Sequence, residues 1–339
     1  MTTGSTPVTL LLENIKIGAT TLRIMKIGYP CINLTLPCKS NKTFRLNSYS
    51  EQRLRQVIEN NLNCLFQILR FNVAHHLLFF RITSDLIPFA SHPICELDWE
   101  TQFQEKFQLI GNFIRKYQIR ISMHPDQFTL LNSPDERIYQ NSIRELLYHA
   151  KVLDSLGLDP SAKIQIHVGG VYTDKEESIK RFIRRFQGLE KAIQRRLVIE
   201  NDDRLYTLKD CLRIYEETGI PILLDVFHHE LNHKGETITE GFERAYKTWS
   251  EKDGIPMVDY SSQLPDGRRG RHAETLDVAH FKKFIEETQS FDFDMMLEIK
   301  NKDKSAFRAM TILSEDVRVR QALVQSGILE NFPSHPIEP

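Results

Sequence analysis

The chain has 339 residues, 41% of them hydrophobic, which is enough for one large barrel or two ordinary domains. Its formal charge is −1, so no global basic field announces a polyanion, and any nucleic-acid site has to come from local clusters. No apolar run approaches the length of a membrane-crossing helix, which excludes a helical span.

Residues 1–24 carry weak periodicity and read as an N-terminal extension. The apolar stretch 8–12 is interrupted at once by Glu13 and Lys16, with no cleavage-site pattern after it, so no signal peptide is expected. Met25 opens the first clear strand. Apolar, β-rich runs then recur at 26–32, 77–82, 119–123, 163–168, 197–199, 220–226, 256–260 and 295–299. Between them lie segments with helical spacing. In the first, Leu54, Val57, Ile58, Leu62, Leu65 and Leu69 form an i, i+3, i+4 stripe. Similar stripes run through 103–114, 138–156, 179–189, 208–215, 242–249 and 281–285, and a last helix is expected over 305–313. Ser50 and Arg53 open the first helix, Asp174 and Lys175 the fourth, while Gly157 and Gly219 close others.

Short buried strands separated by helices imply βαβ units and a parallel sheet, and eight such repeats close more naturally than they lie open. The expected fold is α/β, a single (β/α)8 TIM barrel over 25–315, with a C-terminal tail or helix over 316–339. The segment 253–277, with Pro265, Gly267 and Gly270, is long for a βα loop, and such loops at a barrel's top face are usually functional. Five cysteines, Cys31, Cys38, Cys64, Cys95 and Cys211, are scattered and lack a CxxC or zinc spacing, so a reducing cytoplasm is their simplest home.

The strand ends carry the chemistry. Each candidate lies at or just past the end of an apolar run: His124 at the third, His167 at the fourth, Glu200 at the fifth, Asp225 and His228 at the sixth and Glu298 at the eighth, with His272 in the long loop. A lone strand-end histidine is more often a hydrogen-bonded surface or core group, and His149, His229 and His233 are read that way. A lone Glu or Asp there is often a helix cap. Successive strands that each deliver an imidazole or carboxylate are different, because C-terminal strand ends of a barrel converge on one place. His and Asp/Glu mixtures suit Mn²⁺ or Zn²⁺ better than Ca²⁺. Glu200, midway through the series, is the candidate bridge between two ions, which together would activate a water, hold a phosphate and neutralise a leaving oxygen.

The motifs IRISMHPDQF, IQIHVGG, RLVIENDD, LLDVFHHE and MMLEIKNKD, with MKIGYPCINLTL at the first strand, resemble those of the UV damage endonucleases. Order and spacing are kept from 25 to 313. Those enzymes share a barrel and metal cluster with apurinic endonucleases and sugar isomerases. The resemblance implies an ATP-independent nick immediately 5′ to cyclobutane pyrimidine dimers and 6-4 photoproducts, leaving a 3′-hydroxyl and a 5′-phosphate. It implies two or three divalent ions, Mn²⁺ first and Mg²⁺, Co²⁺ or Zn²⁺ as alternatives, and no nucleotide cofactor. The implied partner is double-stranded damaged DNA, met by a monomer in the cytoplasm, nucleoid-associated in a prokaryote, without a membrane or an obligate protein partner.

Residue by residue, His124, His167 and Glu200 resemble the ligands of one ion, Glu200, Asp225 and Glu298 those of a second, and His228 with His272 those of a third. Gln127 and Phe128 match a pair that wedges into the duplex opposite the lesion, and Tyr29 and Asn33 match positions near the extruded dinucleotide. At the seventh strand the chain departs from the pattern. Met257 stands where relatives carry a lysine, and Asp259 stands for a histidine, as a further candidate ligand. Arg268, Arg269 and Arg271 before His272, and Lys300, Lys302 and Lys304 after Glu298, are placed to hold phosphates around the cut. Lys300 is also positioned in sequence to stabilise charge on the scissile phosphate. Three other functions fit the same barrel: a sugar isomerase or epimerase, with no use for Phe128 or the arginine loop; a lesion-binding protein that does not cut; and a general abasic-site endonuclease.

Overall fold

A computed structural model describes residues 24–329. Eight short strands, β1 (Ile27–Pro30), β2 (Phe79–Ile82), β3 (Arg120–Met123), β4 (Lys163–His167), β5 (Leu197–Glu200), β6 (Ile222–Asp225), β7 (Met257–Tyr260) and β8 (Asp294–Leu297), form a closed barrel. Each pairs in parallel with the next, and β1 closes on β8 through Ile27↔Met295 and Gly28↔Met296. Helices follow every strand, so the chain is a (β/α)8 TIM barrel as its periodicity indicates.

Because side chains alternate along a strand, each strand sends every second residue into the barrel. Phe79, Val198, Leu223, Met257 and Met296 form a small apolar cluster of their own, apart from the large core under the helices. Two residues further along their strands come Arg81, Glu200, Asp225, Asp259 and Glu298. The apolar cluster is thus a plug, and the polar groups form the next layer towards the C-terminal mouth. Gly28 serves the closure at β1: a Cβ there would sit 1.7 Å from the carbonyl oxygen of Phe79.

The other end of the barrel is also charged. Lys163 donates to Asp253 at 2.7 Å, and Arg120 lies 3.8 Å from Asp294. Burial pushes the Lys163 ammonium down to about 8, with Asp253 opposing the shift. The helix Val317–Gln325, which the sequence reading set apart with the tail, packs at this end: the Met25 N–H donates to the Arg318 carbonyl, and Val319 and Leu323 are buried.

Helix boundaries follow the local chemistry. Ser50 caps Glu51–Ala74 by accepting from the Arg53 N–H, Asp174 caps Lys175–Gln187, and Gly219 ends Leu208–Thr218 at φ 69°. One covalent pairing carries no signal in the sequence. Cys38 and Cys64 form a disulfide that ties the loop after β1 to the first helix, leaving Cys31, Cys95 and Cys211 as thiols. Residues far apart in sequence gave no spacing signal for that pairing. Among the described residues no helix is long and apolar enough to cross a membrane, and residues 1–23 and 330–339 of the expected termini lie outside the described residues.

Asp253→Ala leaves the buried Lys163 ammonium unpaired and should cost about 3 kcal/mol, at the lower end for a broken buried pair. An unchanged denaturation midpoint would show that the pair does not matter to the fold.

Candidate metal centre and nucleic-acid face

Glu200, the last residue of β5, is the hub of the mouth. Its Oε1 lies 3.0 Å from His124 Nε2 and 3.0 Å from His167 Nδ1, and its Oε2 accepts from the Gln165 amide. His167 Nδ1 is buried, and despite that short approach it makes no hydrogen bond. Ligand atoms gathered around a cation have that relation: close to one another, and aimed elsewhere. Burial alone would raise the Glu200 carboxyl, yet His167 and His124 hold it well below the usual range. Burial likewise lowers His167, and Glu200 outweighs it, pushing the imidazole up to about 9.

Among the described residues two triplets bring their ligand atoms within 4.8 Å of one another: His124, His167 and Glu200, and Glu200, Asp225 and Asp259. Glu200 belongs to both, which is the geometry of a bridging carboxylate. Asp225 and Asp259 are register partners across β6 and β7, so the alternation that buries Leu223 and Met257 brings them side by side. Burial pushes the Asp225 carboxyl up to about 6, and Glu298 and Glu200 add to the rise. Burial also raises Asp259; Arg81 opposes it, and the other carboxylates raise it again. That repulsion is relieved by cations, and carboxylate–imidazole sets favour borderline divalent ions, so the residues present fit the metal that their pattern implies.

His228 and His272 continue the ring. Asp225 Oδ1 caps the helix Val226–Leu231 by accepting the His228 N–H at 2.7 Å, which holds the residue beside the cluster. His228 Nδ1 lies 3.1 Å from the Asn201 carbonyl oxygen, and His272 Nδ1 lies 2.9 Å from that of Glu298. Both rings are thereby oriented through Nδ1, as metal-facing histidines commonly are. Their centroids are 6.0 Å apart.

Two groups at the centre stand outside the strand-end series. Arg81 on β2 is buried and donates to both oxygens of Asp259, at 2.7 and 2.8 Å, and to Gln165 Oε1 at 2.7 Å; its Nη1 pairs with Glu298. Gln165 in turn donates to Asp259 Oδ2 at 2.6 Å. Glu298 therefore faces Arg81 and belongs to neither triplet. Burial alone would raise the Glu298 carboxyl, and Arg81 holds it down to about 2. A lone arginine inside the apolar run FFRI, and a glutamine two residues before His167, were the available signals.

The remaining candidates divide. In the turn after β3, Asp126 Oδ1 accepts the Phe128 N–H at 2.8 Å and the Asp126 carbonyl accepts from Thr129, so Gln127 and Phe128 sit at the tip. Phe128 is 70% exposed, more than any other large apolar side chain among the described residues. Tyr29 and Asn33, by contrast, are buried. Asn33 donates to the Tyr29 hydroxyl at 2.7 Å, and that hydroxyl donates to Asn72 Oδ1 at 2.6 Å, so the pair braces the loop after β1 against the first helix. Arg268, Arg269 and Arg271 are exposed in the loop before His272. Arg269 donates to the Leu231 carbonyl, and Glu274 gathers Arg271 at 3.6 Å and Lys300 at 2.7 Å. Lys300 thus points to the rim, not into the carboxylate ring. Lys302 sits at φ 51° before the helix Asp303–Ile312.

Fold and site together define a TIM barrel with a candidate metal centre at its C-terminal mouth and a basic, apolar-tipped rim. Residues 25–328 match the family model described as UV-endonuclease UvdE. The UV DNA damage endonuclease of Clostridium perfringens (strain 13 / Type A) is 36% identical over 310 residues, covering 91% of this chain and 75% of its own length. That of Bacillus cereus (strain G9842) is 35% identical over 301 residues, covering 86% and 95%. A crystal structure of SacUVDE, 45% identical, matches 86% of this chain and 98% of its own with a TM-score of 0.83. The chain belongs to the UV-endonuclease family. An endonuclease IV from Thermus thermophilus, 15% identical with a TM-score of 0.51 over 77% of this chain and 94% of its own, shares the fold.

Glu200→Gln removes the charge that both triplets share. In a Mn²⁺ titration of metal-stripped protein it should weaken binding at least tenfold, about 1.4 kcal/mol. Unchanged binding would remove Glu200 from the bridging role.

Proposed function

We propose that the chain nicks one strand of duplex DNA immediately 5′ to UV photoproducts, cyclobutane pyrimidine dimers and 6-4 products, leaving a 3′-hydroxyl and a 5′-phosphate. The observation that carries this reading is the placement of an exposed aromatic tip, Phe128, four residues from the ligand His124 on the same barrel mouth. Family membership supplies the class of reaction.

A photodimer weakens stacking, so extruding it costs less than extruding normal bases. Gln127 and Phe128 fill the gap left in the duplex, the ring stacking where bases have parted and the amide meeting the orphaned partner edges. Arg268, Arg269, Arg271 and Lys302 hold the flanking phosphates without reading sequence, which suits recognition of distortion. Lys300, on Glu274, sits at the rim where a phosphate can displace that carboxylate and recover a charge-assisted contact. His124, His167, Glu200, Asp225 and Asp259 would hold the divalent ions, two or three with Mn²⁺ foremost, with His228 and His272 as further ligands beside them. Bound ions supply Lewis-acid activation of water and of the scissile phosphate. Such an enzyme works as a monomer beside the chromosome, in the cytoplasm of a prokaryotic cell.

The decisive assay uses end-labelled duplexes carrying a photodimer, a 6-4 product, an abasic site or no lesion, each with Mn²⁺, Mg²⁺ or EDTA. Metal-dependent cutting only 5′ to the photoproducts is expected, with EDTA abolishing it. Binding without cutting would make the chain a recognition protein, and cutting confined to abasic sites would make it a different repair nuclease. Phe128→Ala should lower the preference for damaged over intact duplex about tenfold, since stacking on an aromatic ring contributes roughly 1–3 kcal/mol per base. Unchanged selectivity would refute the wedge.

A further inference from the structure

We infer that Arg81 is a positioning residue that stands in the ligand ring as a fixed cation, so that the centre takes two divalent ions per chain and not three. The inference rests on the metal-dependent reading above and adds to it a count and a residue.

The geometry comes first. The Arg81 guanidinium is buried at the level of the carboxylates, with one nitrogen on both Asp259 oxygens and the other on Glu298. Phe79 and Met257, each two residues earlier on the same strands, close the barrel beneath Arg81 and Asp259. An arginine cannot lose its proton here, so this charge is permanent where a metal's is exchangeable. Glu298 is drawn towards Arg81 and out of both ligand triplets, and no third triplet forms among the described residues.

Charge leads to the same number. Glu200, Asp225, Asp259 and Glu298 with Arg81 leave three negative charges at the mouth. Two divalent ions leave a single positive charge, which one bound phosphodiester neutralises. A third would leave three positive charges in a site walled by buried side chains, a costly excess in a medium of low dielectric. Gln165 transmits the arrangement. Its oxygen accepts from Arg81, and its amide donates to Asp259 and to Glu200, so the guanidinium also fixes the bridging carboxylate.

The test is a Mn²⁺ titration of the metal-stripped full chain, with bound metal counted after gel filtration. Two ions per chain are expected for the unaltered protein. Arg81→Met keeps the bulk, removes the charge and frees two carboxylates, so the count should rise to three. Arg81→Lys restores the charge and should return the count to two. Any count other than two for the unaltered chain overturns the inference, as does a folded Arg81→Met protein that still binds two. Should Arg81→Met fail to fold, the unaltered count decides alone. The photoproduct assay is separate: two ions bound without nicking would defeat the proposed function and leave Arg81's role standing, whereas nicking with three ions bound would do the reverse.

Discussion

Four carboxylates, from β5, β6, β7 and the end of β8, point into one end of a single barrel, and their mutual repulsion is the constraint to which the rest of the mouth answers. Each was put there by the same alternation that buries an apolar side chain two residues earlier: Val198 before Glu200, Leu223 before Asp225, Met257 before Asp259, Met296 before Glu298. The apolar plug and the charged ring are thus one pattern. A one-residue shift of any strand would break both at once, placing a carboxylate under the helices and a core residue in the ring. Register here is held by hydrophobic burial, and the site inherits its geometry from that.

The groups around the ring answer the repulsion at different ranges. Arg81 answers it at contact, with Asp259 and Glu298. His124 and His167 answer it at Glu200, and Gln165 fixes the carboxylate orientations without adding charge. Helix geometry contributes as well. Asp225 Oδ1 accepts at the first turn of the helix Val226–Leu231, which delivers His228 to the ring, and Asp225 also belongs to the second triplet. At the rim, Glu274 holds Lys300 and Arg271 in exposed contacts that a phosphate can replace at little cost, because surface ion pairs contribute little.

The barrel was legible in the sequence because eight apolar runs alternate with helical stripes, and the candidate ligands stood out because strand ends converge. Helix starts at Ser50 and Asp174 and the stop at Gly219 were legible for a local reason: caps are chemistry within four residues. What stayed hidden was whatever depends on chain segments meeting. Arg81 in FFRI looks like any strand residue until β2 is seen to face β7 across the barrel. Cys38 and Cys64 acquire meaning only once the loop after β1 lies on the first helix. Tyr29 and Asn33 match positions near an extruded dinucleotide in the resembling family, but their bond to Asn72 on the first helix is visible only in the fold. Glu298 stands at the mouth, as its strand-end position implies, and that position says nothing of Arg81.

The two ends of the barrel show why function sits at one of them. At the other end the chain's own charges pair with one another: Lys163 with Asp253, and Arg120 with Asp294. The chain's own cations meet both carboxylates of that layer. At the mouth four carboxylates meet a single guanidinium, with histidines arranged alongside. A buried layer that the chain leaves short of positive charge is unfavourable by itself, and it becomes favourable when cations from solution enter it. Divalent cations held there would offset the imbalance, and binding to the folded state alone would stabilise the barrel by mass action.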